Sequence, residues 1–120
     1  MIMMVGKDRD RDTGVGDEGQ SKNAKVHEER RKKLGQRLAF HRRAQGLSQR
    51  EVAEAVGQLY YTFVSHVENG RTRIPPTDLE IWAEVLGVDL HALAKESIRA
   101  YEPPELFNAI YPRGERQSDL

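Results

Sequence analysis

Two arginines near the middle of the chain, Arg71 and Arg73, carry the side chain best suited to binding phosphate. A guanidinium group presents a fork of N–H donors that matches phosphate oxygens. These arginines end a basic segment, residues 25–73, which holds 11 basic and 5 acidic side chains. Residues 74–120 hold 4 basic and 9 acidic side chains, although the chain of 120 residues is neutral as a whole. This segregation predicts that the basic segment forms a surface for a polyanion.

Other kinds of chemistry find little support in the residue types. The sequence shows no nucleophile beside a base, no phosphate loop and no tuned pair of acids, so we do not expect an enzyme. Residues 14–19 spell G-x-G-x-x-G, but no strand precedes them, and Asp17 and Glu18 would repel a pyrophosphate. With no cysteine and no ligand spacing among the histidines, we expect neither a metal nor another cofactor. The histidines are His27, His41, His66 and His91.

The composition favours one small soluble domain. A hydrophobic fraction of 38% beside 32% charged residues allows only a modest core. The apolar stretch from Met1 to Val5 is too short for a signal peptide or a membrane span. We therefore expect neither a secreted nor a membrane-embedded protein, and the lack of cysteine fits a reducing cytoplasm.

Glycines and capping residues divide the basic segment into short helices. A first helix is expected from about Glu28, with Gly46 as the glycine that ends it. Ser48 and Glu51 have the spacing of a capping box, worth ~1 kcal/mol, at the start of a second helix that Gly57 ends. A third helix follows after a short connector.

Further breaks define the rest of the predicted fold. The third helix is expected to stop at Asn69-Gly70, and Thr77 or Asp78 to cap a fourth helix. Asp89 is expected to cap a fifth helix, which Pro103-Pro104 end. The prediction is an all-α domain at residues 28–102 without strands.

The two ends of the chain are expected to lie outside this domain. Residues 1–27 alternate charges and contain glycines, which predicts a disordered charged tail. Residues 103–120 are predicted to form a short helical extension and a tail. Its apolar side chains are expected to pack on a second subunit or back on helix five, and they are Leu106, Phe107, Ile110 and Tyr111.

Helices two and three, joined by a glycine and a short connector, have the form of a helix-turn-helix, which presents its second helix to a DNA major groove. Over about residues 33–94 the chain resembles the Cro/phage-repressor (XRE-type) helix-turn-helix family. The matching strings are Leu34–Leu38, Gly46–Gln49, Val52-Ala53, Val56-Gly57, Val64–Arg71, Leu79, Ala83, Leu86–Val88, Leu90 and Leu93. The resemblance implies a five-helix lambda-repressor-like domain. It also implies a bacterial or phage transcriptional regulator, usually a repressor, that binds double-stranded DNA as a homodimer in the cytoplasm, at the nucleoid.

The resemblance also implies roles for particular residues. Gln49, at the start of helix two, matches a position that holds a phosphate with help from the helix dipole. The other residues placed at phosphates are Arg37, Asn69, Arg71 and Arg73. Those placed at bases are Tyr60, Tyr61, Thr62, Ser65 and His66. Arg42 and Glu68 match a partly buried ion pair between helix one and the end of helix three.

Two features of this sequence depart from the family pattern. The segment between Gly57 and Val64 is one residue longer than the commonest family spacing, so the register of residues 60–62 stays open by one. An apolar residue is common where His41 stands, and either His41 or Phe40 could face the core. Helix three also lacks the Gln, Asn or Arg that reads a purine with two hydrogen bonds, which predicts modest or shape-assisted specificity.

Several alternatives stay open. Tyr60 and Tyr61 could form a structural turn, His66 could be an exposed bystander, and the run from Arg30 to Lys33 could be a solvated helix face. The chain could also be a protein-interaction module that binds a partner through its acidic C-terminal region, as antitoxins do. A third alternative is a nucleoid-type binder without sequence preference.

Overall fold

The computed structural model describes the backbone of residues 13–120 and the side chains of residues 23–120. Over that range the chain is helical and contains no strand, so the predicted all-α class is confirmed. None of the helices described there is both long and apolar enough to cross a membrane. The helices are α1 (Thr13–Ala44), α2 (Gln49–Val56), α3 (Thr62–Glu68), α4 (Leu79–Leu86), α5 (Leu90–Tyr101) and α6 (Pro104–Ile110). Short 3-10 turns cover Pro76–Asp78 and Arg113–Glu115.

The helix boundaries follow local capping chemistry. The Glu51 amide donates to the Ser48 hydroxyl at 3.0 Å, and the Ser48 amide donates to the Glu51 carboxylate at 2.8 Å, which completes the expected capping box of α2. Gly57 ends α2 with φ +80°, a left-handed conformation that favours glycine. The Asp89 carboxylate accepts from the Ala92 amide at 3.0 Å at the start of α5.

The cap expected for the fourth helix is absent. Asp78 stands at the N-cap of α4, but its side chain makes no cap hydrogen bond. Thr77 lies inside the 3-10 turn Pro76–Asp78, which leads directly into α4. The 3-10 turn therefore leads into α4 with its backbone already close to a helical conformation, in place of a side-chain cap.

Helices α1 to α5 enclose one apolar core. Trp82 lies in it at 1% exposure, with its ring centroid 6.4 Å from that of Phe63. Neither candidate for the inward position near the end of α1 belongs to this core. Phe40 is 64% exposed, and Ala39 is the buried residue beside it. The core residues are Leu34, Leu38, Val52, Ala53, Val64, Val67, Ile74, Trp82, Ala83, Leu86, Leu93 and Ala100.

The first helix begins well before the predicted start at Glu28. Residues 13–27, expected to be a disordered tail, continue α1 toward its N-terminus, and residues 1–12 of that tail lie outside the described residues. Once the buried part of α1 is helical, each added residue contributes a further backbone hydrogen bond without a new nucleation cost. Ala24 and Lys25 are also good helix formers.

The extension α6 packs on α5. Phe107 is 5% exposed, and its ring lies over the Arg99 guanidinium at 4.3 Å and against Tyr111 at 4.9 Å. This is one of the two arrangements that the apolar spacing predicted. Leu106 and Ile110 remain 41% and 47% exposed.

The residues after α6, expected to be a tail, return to the domain. Lys95 on α5 donates to the Asp119 carboxylate at 2.9 Å and to the Glu115 carbonyl at 3.2 Å. Arg99 donates to the Arg116 carbonyl, and Arg37 donates to the Ser118 hydroxyl. The carbonyls and the carboxylate of this segment thus give hydrogen-bond partners to Lys95, which is buried, and to Arg37 and Arg99, which are partly buried.

Gly35 lets α1 approach the end of α3, and replacing it tests how tightly the two helices pack. A Cβ added at Gly35 would lie 2.6 Å from the Glu68 carbonyl carbon and 2.9 Å from the Val67 carbonyl oxygen. Although alanine favours helix by about 1 kcal/mol, we expect Gly35→Ala to lower the free energy of unfolding by about 1–3 kcal/mol in urea denaturation. Gly114→Ala is the control, since nothing lies within 4 Å of its added Cβ. Equal stability of both variants would contradict close packing at Gly35.

Candidate nucleic-acid interface

One face of α3 is polar and turned to solvent. Val64 and Val67 point into the core, whereas Thr62 and His66 are exposed and Ser65 is half-buried. Positions 62, 65, 66 and 69 share this face, because residues three, four and seven apart align on a helix. The Asn69 amide donates to the Ser65 hydroxyl at 3.4 Å. The side chains of this face therefore form a row of hydroxyl, imidazole and amide groups.

The turn before α3 exposes two aromatic rings. Tyr60 is 68% exposed and Tyr61 is 43% exposed, with the Arg50 guanidinium 4.8 Å above the Tyr61 ring. Tyr61 stands at the N-cap of α3 and forms no side-chain cap hydrogen bond. The contact with Arg50 orients the Tyr61 ring beside the polar face, while Tyr60 projects into solvent.

A buried ion pair holds the polar face of α3 against the first two helices. Arg42 Nε and Nη2 donate to the two Glu68 carboxylate oxygens at 2.6 and 3.0 Å, and the two side chains are only 10% and 8% exposed. Arg42 Nη1 also donates to the Leu47 carbonyl at 2.9 Å. The hydrogen bond to Glu68 raises the pKa of Arg42 above its ordinary value and outweighs the opposite effect of burial.

Gln49 belongs to the same network. Its amide nitrogen donates to Glu68 Oε1 at 2.9 Å, so this group is already engaged at the position expected to hold a phosphate. A cavity of about 240 Å³ opens between Gln49 and the end of α3. Gln36 and Arg43, two polar residues of α1 that the sequence did not single out, line this cavity. Their spacing of seven along a helix is the signal that could have placed them together.

A cationic cleft lies beside the C-terminal end of α3. Arg71 is exposed after α3, and it lines a cleft of about 610 Å³ together with Arg31, Lys32 and Glu28 of α1. Glu28 pairs with Lys32 at 3.4 Å, but both side chains are more than half exposed, so three cations against one carboxylate leave the lining positive. Gly70 permits this arrangement, since a Cβ there would lie 2.8 Å from the Arg31 and Lys32 backbone. Of the four basic residues from Arg30 to Lys33, only Arg31 and Lys32 line this cleft.

Two arginines expected to contact phosphate have other neighbours. Arg73 is ion-paired with Glu102 at 2.7 Å and lies 5.8 Å from the Tyr101 ring, so its charge is compensated inside the domain. Arg37 bonds to Ser118 on the side of α1 that faces the C-terminal segment. Neither arginine joins the cluster of Arg71, Arg31 and Lys32.

Tyr101 anchors the loop that follows α3. Its hydroxyl donates to the Thr72 carbonyl at 3.1 Å. The guanidinium groups of Arg31 and Arg73 lie 5.9 and 5.8 Å from the centroid of its ring. Burial raises the pKa of Tyr101, and the two positive charges oppose that effect.

Two short helices joined by a tight turn, the second with a polar outer face, make this part of the molecule a helix-turn-helix. The family model described as "Helix-turn-helix domain" matches residues 33–95, more than half of the chain. The chain therefore belongs to the helix-turn-helix domain family, whose members bind DNA and are typically not enzymes. No curated protein and no solved structure matches the chain.

Removing Arg42 tests the ion pair. We expect Arg42→Ala to lower the free energy of unfolding by about 3–5 kcal/mol, because the Glu68 carboxylate would stay buried without its strongest donor. Urea denaturation measures this loss. Arg43→Ala, at the exposed neighbouring position, should change stability by no more than about 0.5 kcal/mol. Similar stability of the two variants would refute the structural role of Arg42.

The raised pKa of Tyr101 predicts a pH dependence. The folded-state pKa of Tyr101 lies above the ordinary value of 10.0. The contribution of Tyr101 to the free energy of unfolding is therefore complete below pH 10 and is lost as pH rises through the folded-state pKa. We expect the alkaline absorbance titration of the wild-type chain minus that of Tyr101→Phe to have its midpoint above 10. A midpoint at or below 10 would show that burial does not dominate.

Proposed function

We propose that the protein is a sequence-specific transcriptional regulator of the Cro/phage-repressor (XRE) type. In this proposal it acts as a repressor, binds DNA as a homodimer, and inserts α3 into the major groove. The observation that carries the proposal is the polar face of α3 with the cationic cleft of Arg31, Lys32 and Arg71 beside it. A B-DNA major groove about 12 Å wide admits one helix, and the flanking phosphates then lie beside that helix.

Base contacts would come from the exposed groups of α3 and of the turn before it. Thr62, Ser65 and His66 offer single hydrogen bonds, and Tyr60 and Tyr61 add contacts to thymine methyl groups. Without a side chain that pairs with a purine through two hydrogen bonds, part of the specificity would come from DNA shape.

Phosphate contacts would lie at two places beside α3. Arg71, Arg31 and Lys32 would bind the backbone on the C-terminal side, and Asn69 stands between them and the helix. At the cavity between Gln49 and the end of α3, Arg43 would contribute together with the N–H of the Gln49 amide that is not donated to Glu68. Arg73, through its ion pair with Glu102, would position this loop instead of contacting DNA.

Selection of bound duplexes from a random pool at ~0.15 M salt tests the proposal. We expect enrichment of an inverted repeat whose half-sites lie about one helical turn, ~34 Å, apart. Arg71→Ala should weaken binding to every sequence alike and reduce the salt slope by about one. Thr62→Ala should cost about 1–3 kcal/mol on the selected site only.

Arg113→Ala is the matched control, because Arg113 is an exposed arginine of the C-terminal segment and should leave DNA binding unchanged. Retention of DNA without enrichment would favour a nucleoid-type binder. No binding would instead favour the second candidate, a protein-interaction module. That candidate is favoured by Leu106 and Ile110, which α6 leaves 41% and 47% exposed.

A further inference from the structure

A second basic site lies on the side of α1 turned away from α3. It is a cavity of about 300 Å³ between α1, α5 and the C-terminal segment. This volume is at the lower end of the roughly 300–1,000 Å³ typical of small-molecule sites. The lining residues are Arg30, Lys33, Leu34, Arg37, Glu96, Arg99, Ala100, Arg116 and Ser118.

The lining of this cavity is strongly positive. Five of its nine residues are cationic, and Glu96 is the one carboxylate among them. Glu96 is already paired with Arg99 at 3.1 Å. Among the residues whose side chains the structure describes, neither Arg30 nor Lys33 has an ion-pair partner. Like charges around one concave site repel, and a bound anion relieves that repulsion.

Glu96 adds a second requirement. Its side chain is only 9% exposed, and its Oε2 atom is buried with no hydrogen-bond partner in the described part of the chain. A buried carboxylate oxygen without a donor is costly. Glu96 lines the cavity, so a donor bound there can hydrogen-bond its carboxylate once the side chain turns toward the ligand. The ligand that fits therefore carries an anionic group for the cations and a hydroxyl group for Glu96.

We propose that this cavity binds a small organic phosphate that carries hydroxyl groups. A net charge of +4 in the lining matches a dianionic phosphate better than a singly charged carboxylate, and guanidinium forks match phosphate oxygens. Arg30 and Lys33 bind the phosphate from α1, Arg116 from the C-terminal segment, and Glu96 accepts from a hydroxyl. The side of α1 that it occupies separates this site from the cleft at Arg71.

Three probes separate the phosphate requirement from the hydroxyl requirement: ribose 5-phosphate, butyl phosphate and ribose. Calorimetric titration of the full chain measures the affinity for each probe. Thermal denaturation is compared at one ionic strength, adjusted with NaCl, so that the screening of charges by salt is the same for every probe. We expect ribose 5-phosphate to raise Tm and to bind about tenfold more tightly than butyl phosphate, which lacks the hydroxyl groups. Ribose, without the phosphate, should not bind.

The variant Arg30→Ala/Lys33→Ala should bind ribose 5-phosphate at least about tenfold more weakly, since two charge-assisted contacts are lost. Both positions are exposed, so this variant should fold, and Arg113→Ala is the matched control with unchanged affinity. Unchanged affinity of the double variant would overturn the site. Equal affinity for butyl phosphate would overturn the role of Glu96. A loss of duplex DNA binding in the double variant as large as that in Arg71→Ala would assign these cations to the DNA backbone instead.

Discussion

The buried carboxylate of Glu68 is the interaction on which the relative positions of the first three helices depend. Its two oxygens accept from Arg42 on α1 and from Gln49 at the start of α2, and Arg42 in turn binds the Leu47 carbonyl before α2. The backbone of Glu68 also rests on Gly35 of α1. Because a buried charge is stable only while every partner is in place, the exposed face of α3 is held in one orientation.

The rotation of a helix divides one run of basic residues between two surfaces. Successive residues of α1 are turned by about 100°, so Arg31 and Lys32 face the cleft at the end of α3, whereas Arg30 and Lys33 face the cavity beside α5. The same helix thereby lines both the candidate DNA surface and the candidate phosphate cavity. Leu34 and Leu38 of α1, which belong to the core, lie between these two surfaces.

Much of the fold could be predicted because its determinants are local. The capping box at Ser48 and the left-handed glycine at Gly57 act within one helical turn, and the structure places both where the residue types indicate. The ends of the chain were predicted less well. The start of α1 at Thr13 depends on propagation from a buried helix, and the return of the C-terminal segment depends on Lys95 and Arg99, which are distant in sequence. Such contacts have no local pattern.

For the candidate site, the residue types and their spacing were enough to predict the helix-turn-helix elements, the polar positions of α3, and the pair of Arg42 and Glu68 that holds α3 in place. Which cations lie together depends on the packing of the whole domain and could not be predicted from the spacing of the residues. In the folded chain Arg73 is ion-paired with Glu102, and Arg37 donates to the Ser118 hydroxyl. The physical reason is that residue type and helical period are properties of a segment. The surroundings of a charge depend instead on which other segments pack against it, and a long arginine side chain can reach any of them.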